Sequence, residues 1–175
     1  MIWKLSVAEA ISNTSPLLYL HRVHAFDWLP RLFTALLVPG AVVRELEEGA
    51  RRGCDVPDLN RLAWLQRVDP RSIPSEWLAL DLGAGELAVL ALGLEQTDRI
   101  ILLDDGLARR IARAASLTVW GTLKVLLEAK SCGFVEKIAP LLIQLKDAGM
   151  WISDDIARRI LVLAGETAEG STPSR

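Results

Sequence analysis

Short apolar segments alternate with longer segments of helical periodicity along most of this chain. Ala35–Val38 and Arg99–Leu103 are apolar runs too short for a helix, and turn residues border them. Between them, Leu87, Leu90 and Leu94 recur at the spacing of one helix face. Buried strands that alternate with helices form parallel sheets covered on both faces. The pattern therefore predicts an α/β domain with a central, mostly parallel sheet.

The other segments continue this alternation. The sequence predicts further strands at Val7–Ser12, Ala63–Val68, Leu117–Trp120 and Met150–Ile152. It predicts helices between Asn13 and Val23 and at Phe26–Phe33, Ala41–Ala50, Ala84–Glu95, Asp104–Ala115, Gly121–Ser131, Phe134–Ala148 and Ser153–Ala164.

Length and composition favour one folded domain. The chain has 175 residues, of which 51% are hydrophobic and 24% charged, so it is too apolar for a disordered protein. We predict one domain over residues 1–166 and a disordered tail over residues 167–175, where Gly, Ser, Thr and Pro are concentrated. No run approaches the roughly 20 apolar residues that cross a bilayer, so we expect a cytoplasmic protein without membrane contact.

Charge and cysteine content exclude several kinds of site. The formal net charge of -2 argues against a broad electrostatic grip on nucleic acid, so any RNA contact must be local. Cys54 and Cys132 lie far apart and belong to no Cys/His ligand pattern, which argues against a zinc site or a disulfide scaffold.

Several acidic and amide side chains are predicted to lie near one edge of the sheet. Asn13 and the pair Asp104 and Asp105 follow predicted strands, and Glu45 and Glu86 lie near the starts of helices. Carboxylates that converge repel one another unless a cation neutralises them. Mg²⁺ and Mn²⁺ prefer such oxygen ligands, and they support phosphodiester hydrolysis.

Five short motifs, in a fixed order and spacing, resemble a known family. They are Ile11-Ser12-Asn13-Thr14-Ser15-Pro16-Leu17, Val43-Arg44-Glu45-Leu46, Gly85-Glu86-Leu87-Ala88, Leu103-Asp104-Asp105-Gly106-Leu107-Ala108-Arg109 and Gly121-Thr122-Leu123. From about Ala10 to Gly165 the chain resembles the PIN-domain branch DUF3368, which is related to VapC-type toxin ribonucleases.

The resemblance implies a three-layer α/β/α PIN-like fold, a Mg²⁺ or Mn²⁺ site, an RNA substrate and an antitoxin partner. It assigns the acidic metal-binding and catalytic positions to Glu45, Glu86, Asp104 and Asp105. Asn13 stands where the family usually has an aspartate, so it would be a neutral ligand or a positioning group. The family's hydroxyl neighbour matches Thr14 or Ser15, which we predict to contact RNA.

Each acidic position also has a structural explanation. Asn13 and Asp104 are suitable helix caps, and Glu86 in a first turn complements the helix dipole. Glu45 has Glu47 and Glu48 as neighbours, and such an acidic helix face is usually only solvated. The metal site therefore rests on the joint arrangement of these residues.

Arg109, Arg110 and Arg113 cluster on the helix after the acidic pair and are candidates for binding RNA phosphates. The alternative is a solvated basic face. His21 and His24 have no third ligand near them and are expected to be surface or packing residues.

The sequence supports two functional hypotheses. The first is a metal-dependent endoribonuclease, acting as the toxin of a toxin–antitoxin pair. The second is a catalytically impaired PIN-like module that binds RNA or protein, which Asn13 favours. The apolar helices Phe134–Leu145 and Ile156–Leu163 also favour a homodimer in either case.

Overall fold

The structure of the protein is a computed structural model that describes residues 8–166. The predicted tail at 167–175 and the first residue of the predicted Val7–Ser12 strand lie outside this range. The strands are β1 (Glu9–Ser12), β2 (Ala35–Val38), β3 (Leu65–Arg67), β4 (Ile100–Leu102) and β5 (Thr118–Trp120). The helices are α1 (Thr14–Arg22), α2 (Leu29–Leu32), α3 (Gly40–Arg51), α4 (Ala84–Glu95), α5 (Gly106–Ala114), α6 (Thr122–Ser131), α7 (Ala139–Asp147) and α8 (Asp154–Leu163).

The five strands form one parallel sheet in the order β3-β2-β1-β4-β5. β1 lies between β2 and β4, so that Ala10 pairs with both Leu36 and Ile100. The eight α-helices flank the sheet, and the predicted three-layer α/β/α arrangement is confirmed. The chain winds outward from β1 to β3 and then returns to β4, which makes the boundary between β1 and β4 the point where the strand order reverses.

Helix α4 is the most deeply buried helix of the fold. It packs on β1 and β4 and also contacts α3 and α5. Its residues from Leu87 to Gly93 are all buried, although Leu94 is 40% exposed. The prediction that Leu94 shares the buried face of this helix was therefore wrong. The middle of the helix is buried on all sides, whereas Leu94 lies near its exposed C-terminal end. Each large aliphatic side chain buried in this way contributes about 1.5–3 kcal/mol to folding.

Two predicted elements near the C-terminus differ from the structure. Met150–Ile152 is not a strand, because the Met150 N–H donates to Leu145 O at 2.9 Å and so completes the end of α7. The buried Ile152 anchors the connection to α8. The helix predicted from Phe134 begins only at Ala139, with Pro140 in its first turn, where a missing N–H has no cost.

A third difference lies between α1 and β2. The predicted helix Phe26–Phe33 is a 3-10 turn at Phe26–Trp28 followed by the single turn of α2. Further 3-10 turns occur at Leu59–Arg61 and Ser75–Ala79. Within residues 8–166, no helix has the length and apolarity needed to cross a membrane.

Candidate active site

Two polar side chains follow the two central strands at the same edge of the sheet. Asn13 comes directly after β1, and Asp104 comes after β4 with Leu103 between them. The Asn13 N–H donates to Leu102 O at 3.0 Å, which extends the pairing of the two strands to this edge. In open parallel sheets, ligands bind beyond the carboxyl ends of the strands at the point where the strand order reverses. Asn13 and Asp104 stand at that point.

Asn13, Thr14, Glu45, Gly85 and Glu86 form one connected group, which we call the Asn13 cluster. Asn13 is 1% exposed, and its Nδ2 donates to Glu86 Oε1 at 2.7 Å. Glu45 on α3 accepts from the Thr14 hydroxyl and, at 2.8 Å, from the Gly85 N–H. The start of α1, the middle of α3 and the start of α4 therefore meet at this cluster.

Gly85 gives the Asn13 cluster its space. A Cβ atom at this position would lie 2.7 Å from Asn13 Oδ1 and 2.7 and 2.9 Å from the two carboxylate oxygens of Glu45. All three oxygens lie within 3 Å of this one position, so the Asn13 amide and the Glu45 carboxylate both pack closely against Gly85. Any side chain at residue 85 would occupy the space between them.

The amide of Asn13 cannot satisfy both of its carboxylate neighbours. Its buried Oδ1 accepts no hydrogen bond within the described part of the chain. Rotating the amide by 180° would turn Nδ2 toward Glu45, but it would then place Oδ1 against Glu86 Oε1. In either orientation, the amide oxygen lies against a carboxylate and not against a donor. A buried acceptor without a donor reduces the stability of the fold. A cation between these oxygens would remove this destabilisation.

The N-terminus of α4 supplies part of the compensating charge. Glu86 lies in the first turn of this helix, and Glu45 accepts the Gly85 N–H of the same turn. Glu86 Oε2 also lies 2.5 Å from the position that a Cβ of Gly83 would take, so the carboxylate folds back over the helix start. The helix dipole favours negative charge here, as the structural explanation of Glu86 anticipates.

Leu103, Asp104, Arg109, Gly121 and Thr122 form a second group, the Asp104 cluster. Asp104 accepts from the Thr122 N–H at 2.8 Å through Oδ1 and from the Thr122 hydroxyl at 2.7 Å through Oδ2. Arg109 Nη1 donates to Leu103 O at 3.1 Å. A Cβ on Gly121 would lie 3.0 Å from Asp104 Oδ1 and would collide with Arg109 Nη1. Glycine therefore lets the guanidinium approach the Asp104 side chain.

Burial and hydrogen bonding act in opposite directions on Asp104. Burial raises the pKa of its carboxyl above the ordinary value, whereas the two Thr122 hydrogen bonds and the charge of Arg109 lower it. Burial also lowers the pKa of Arg109, and the neighbouring charge of Arg113 acts in the same direction, while Asp104 opposes both. The effect of burial is the larger, so the pKa of Asp104 is raised even though Thr122 and Arg109 partly compensate its charge.

Asp105 has a different environment from Asp104. It is the N-cap residue of α5, and its Oδ1 accepts from the Ala108 N–H at 2.8 Å. The capping explanation considered for Asp104 thus applies to Asp105 at the start of α5. Asn13 occupies the N-cap position of α1, but its side chain forms no capping hydrogen bond there. Its amide is directed to the Asn13 cluster instead.

The family comparison agrees with this geometry. The family described as "DUF3368: PIN domain" matches residues 9–166. The chain belongs to this PIN-domain family. No curated protein matches the sequence. Family membership places the chain in a nuclease-like fold, and PIN domains generally use divalent metal ions.

The donor atoms of this PIN domain fit a hard cation at the Asn13 cluster. Asn13 Oδ1 is a buried oxygen without a donor, and it faces the Glu45 carboxylate. Oxygen donors of this kind suit Mg²⁺ or Mn²⁺. Between residues 8 and 166, however, no three Asp, Glu, His or Cys side chains are grouped as a metal site. The fit therefore depends on an amide oxygen together with carboxylates.

The predicted RNA-contacting residues of the PIN domain have unequal surroundings. Arg110 and Arg113 are exposed, whereas Arg109 turns inward to Leu103 O. The Thr14 hydroxyl donates to Glu45, and Ser15 is half-buried. Arg110 and Arg113 are therefore accessible to a phosphate in this structure, while Arg109 and Thr14 are engaged with other groups of the protein.

Both histidines of the PIN domain lie outside these clusters. His21 Nε2 lies 2.9 Å from Asp55 Oδ1, and the exposed His24 adopts a left-handed backbone with φ 57°. His21 also packs edge-on against Phe26. They are surface and packing residues, as expected.

Sequence reasoning assigned no role to Gly85, Gly121 or Thr122. All three act through contacts with residues distant in sequence, such as Glu45 with Gly85 and Asp104 with Thr122. A signal for Thr122 was available, because a glycine and a threonine follow β5 at the same sheet edge as Asn13. No local signal distinguishes Gly85 from other glycines near helix starts.

Proposed function

We propose that this PIN domain is a metal-dependent endoribonuclease that hydrolyses RNA phosphodiester bonds at the carboxyl edge of β1 and β4. The observation that supports it most is the buried Asn13 Oδ1, which faces the Glu45 carboxylate without a donor. A bound Mg²⁺ or Mn²⁺ would balance these oxygens. The family's general use of divalent ions supports the same assignment.

Glu45, Glu86 and Asp104 are the proposed acidic ligands, with Asn13 as a neutral ligand. Asp105 stays in the proposed set through Oδ2, which accepts no hydrogen bond from a described residue, but we expect a smaller contribution because Oδ1 caps α5. When bound, Mg²⁺ or Mn²⁺ supplies Lewis-acid stabilisation of phosphate charge and lowers the pKa of a water molecule.

The surrounding groups would hold these side chains in position before RNA binds. The Thr14 hydroxyl and the Gly85 N–H orient Glu45, and the Asn13 amide orients Glu86. Thr122 fixes Asp104 through two hydrogen bonds. Such preorganisation reduces the rearrangement needed during hydrolysis.

RNA phosphates would be held by Arg110 and Arg113 on α5, whose side chains are exposed. Arg109, Thr14 and Ser15 remain in the proposed contact set, although Arg109 and Thr14 would have to give up bonds within the protein. The double variant Arg110→Ala and Arg113→Ala should weaken RNA binding, measured by fluorescence anisotropy. Unchanged affinity would remove α5 from the RNA site.

Two substitutions that each replace a carboxylate by a neutral amide test the catalytic assignment. Glu86→Gln keeps the acceptor for Asn13 Nδ2, and Asp104→Asn keeps the side-chain shape, so both variants should fold. We expect each to abolish Mg²⁺-dependent cleavage of a labelled RNA. Glu47 is exposed and lies two positions after Glu45 on α3, so Glu47→Gln is the matched control and should cleave normally. Undiminished cleavage by both site variants would discard the proposal.

One observation favours the second hypothesis, a catalytically impaired module that binds RNA or protein. No group of three acidic, histidine or cysteine side chains that could hold a metal occurs in residues 8–166, and Asn13 brings no charge. Calorimetry with Mn²⁺ separates the two hypotheses. Saturable heat that disappears in Glu45→Gln supports the enzyme, whereas no binding at millimolar Mn²⁺ supports the module.

The role as the toxin of a toxin–antitoxin pair rests on the resemblance to VapC-type toxins, and we propose it on that ground. Expression of the wild-type chain should arrest bacterial growth, while Glu86→Gln at the same protein level should not. Equal growth of both cultures would contradict a toxin role.

We also propose a homodimer, which the surface of the last two helices supports. Ile143 on α7 is 63% exposed, Val162 and Leu163 on α8 are each 71% exposed, and Trp151 between the helices is 81% exposed. Exposed apolar side chains of this size favour association. A monomeric mass in light scattering at high protein concentration would contradict it.

A further inference from the structure

An open cleft of about 550 Å³ runs along the outer face of α3 and adjoins the Asn13 cluster. It is lined by Ala41, Arg44, Glu45, Glu48, Gly49, Arg51, Arg52, Cys54 and Ala84. Glu45 belongs both to this cleft and to the Asn13 cluster, and Ala84 is the first residue of α4. A chain bound at the cluster can therefore continue directly into the cleft.

The cleft is locally basic although the chain as a whole is not. Three arginines line it against two glutamates, while the chain carries a formal net charge of -2. Among the described residues, the exposed Arg44 forms no hydrogen bond or ion pair, although its Nη1 and the Asp69 carboxylate oxygens all lie 3.1–3.2 Å from the position that a Cβ of Gly40 would take. Arg44 and Arg52 are eight positions apart, which places them about 12 Å apart along the helix axis. The basic groups thus form a row along the cleft.

Glu48 holds the other two arginines in place. Arg51 Nη2 lies 2.6 Å from Glu48 Oε2, and Arg52 Nε lies 2.9 Å from Glu48 Oε1. These hydrogen bonds lower the pKa of Glu48, so its carboxylate stays ionised and continues to hold the two arginines. Nη1 of Arg51 and both terminal nitrogens of Arg52 donate to no group within residues 8–166, and guanidinium groups bind phosphate through such free donors.

The lining of the cleft indicates which part of a nucleic acid it would contact. No aromatic side chain lines it, so bases have no surface on which to stack. Arginines that contact phosphates position a strand without reading its sequence. The cleft is therefore suited to the backbone of an extended single strand rather than to its bases.

We propose that the α3 cleft binds the phosphate backbone of the single-stranded RNA that flanks the scissile bond, with Arg44 and Arg52 as its main contacts. This inference rests on the proposed ribonuclease function, because the strand enters from the Asn13 cluster. It adds a second basic surface to that of α5. It also explains how an acidic protein would hold RNA, through a local row of arginines.

Binding of a short fluorescein-labelled oligouridylate, measured by anisotropy over a salt series, tests the proposal. Glu86→Gln serves as the background, so that affinity is measured without cleavage. We expect Arg44→Ala and Arg52→Ala each to weaken binding about fivefold and to reduce the slope of log K against log salt by about 0.7, the value for one phosphate contact of a single strand. Arg158→Ala on α8, where Arg158 is 71% exposed, is the matched control and should change neither quantity.

Cys54 provides a second measurement, because it is exposed and lines the cleft. In a Cys132→Ser background, an oligouridylate that ends in a 2-pyridyl disulfide should exchange with the Cys54 thiol, forming the RNA–Cys54 disulfide and releasing 2-thiopyridone, and unmodified RNA should prevent it. The proposal is overturned if no adduct forms, or if Arg44→Ala and Arg52→Ala bind like Arg158→Ala. Tighter binding of an oligoglutamate than of oligouridylate would also overturn it, since the cleft would then be a protein-binding surface.

The two proposals fail separately. If the native protein does not cleave RNA but Arg44→Ala still weakens binding, the catalytic proposal fails and the cleft assignment stands. If the native protein cleaves RNA and the α3 variants bind normally, the cleft assignment fails alone.

Discussion

The Asn13 and Asp104 clusters lie at the ends of neighbouring strands, yet they compensate negative charge in different ways. Asp104 receives two hydrogen bonds from Thr122, and the Arg109 guanidinium lies beside it. Asn13 leaves a buried oxygen without a donor next to the Glu45 carboxylate. Within residues 8–166, both carboxylate oxygens of Asp104 therefore have donors, although burial still raises its pKa, whereas the Asn13 oxygen has no donor.

This difference indicates where an added ion would have the greater effect. A cation at the Asn13 cluster would gain a buried oxygen to which no group in residues 8–166 donates, whereas one at Asp104 would share oxygens already held by Thr122. Perturbing the first cluster should thus change metal binding most, whereas perturbing the second should act mainly on stability. Four substitutions test this contrast.

Gly85→Ala should have the largest effect, because the added Cβ would lie 2.7 Å from both Asn13 Oδ1 and Glu45 Oε2. We expect Mn²⁺ affinity, measured by calorimetry, to fall about 100-fold, as for other changes that displace metal ligands. Gly106→Ala is the control, since its nearest atom would be 3.9 Å away. Equal Mn²⁺ binding by the two variants would break the contrast, because Gly85 would then not shape a cation site.

Asn13→Asp adds a charge to the Asn13 cluster and replaces the donor to Glu86 by a carboxylate oxygen. In EDTA we expect the variant to lose about 2 kcal/mol of stability through an unpaired buried group and charge repulsion. With Mn²⁺ the loss should be reversed and the affinity should rise about tenfold, together with cleavage. Thermal unfolding with and without Mn²⁺ measures this, and an equal loss under both conditions would count against a cation at Asn13.

Thr122→Val removes the hydroxyl that donates to Asp104 Oδ2 while preserving side-chain shape. Leaving this acceptor without its donor should cost about 1.5 kcal/mol at neutral pH, measured by urea denaturation. Thr118→Val at an exposed position of β5 is the control and should have little effect. We expect Mn²⁺ binding to change less than in Gly85→Ala; a larger loss of binding would show that Asp104 dominates the metal site.

Asp104→Asn should have the smallest effect and should stabilise the protein. Burial raises the pKa of Asp104 above its ordinary value of 3.8, so between that value and the raised pKa the native state binds more protons than the unfolded state. The contribution of Asp104 to stability is therefore present below the ordinary pKa and is lost as pH rises through the raised one. At neutral pH in EDTA we expect Tm to rise by about 2–4 °C, equivalent to about 1 kcal/mol.

The pH dependence provides the control for this last variant. The stabilisation by Asp104→Asn should shrink as the pH falls below about 4, because the wild-type carboxyl is then protonated in both states. A gain that is independent of pH between acid and neutral solution would show that the substitution acts through packing and not through charge.

Much of the fold could be predicted because its signals are local. Helix α4 occupies the predicted range Ala84–Glu95, and β2 occupies Ala35–Val38 as expected. Met150–Ile152 was misassigned because a run this short shows no periodicity. In the structure, the Met150 N–H donates to Leu145 O at the end of α7 and not to a neighbouring strand. Local sequence patterns thus predict the longer helices and buried strands. The structure of a short connection depends instead on which hydrogen-bond partners lie near it.

The candidate site was less accessible to sequence reasoning. The sequence places Asn13 and Asp104 after strands, and the strand order brings them to one edge. It cannot show that Asp105 caps α5 while Asp104 turns to Thr122, because adjacent residues on a turn point in different directions. Nor can it show the approach of Glu45 to Gly85, which depends on the packing of α3 against α4.

The central position of β1 has a consequence during synthesis. β1 is made first, but its second neighbour β4 is about 90 positions later, with Ala10 paired to Ile100. Pairings of such long range form late in folding. The Asp104 cluster also needs Thr122, so the two halves of the proposed catalytic centre cannot meet until the segment that carries Thr122 has left the ribosome. Under the proposed ribonuclease function, a nascent chain could therefore not cleave the messenger RNA that encodes it before that point.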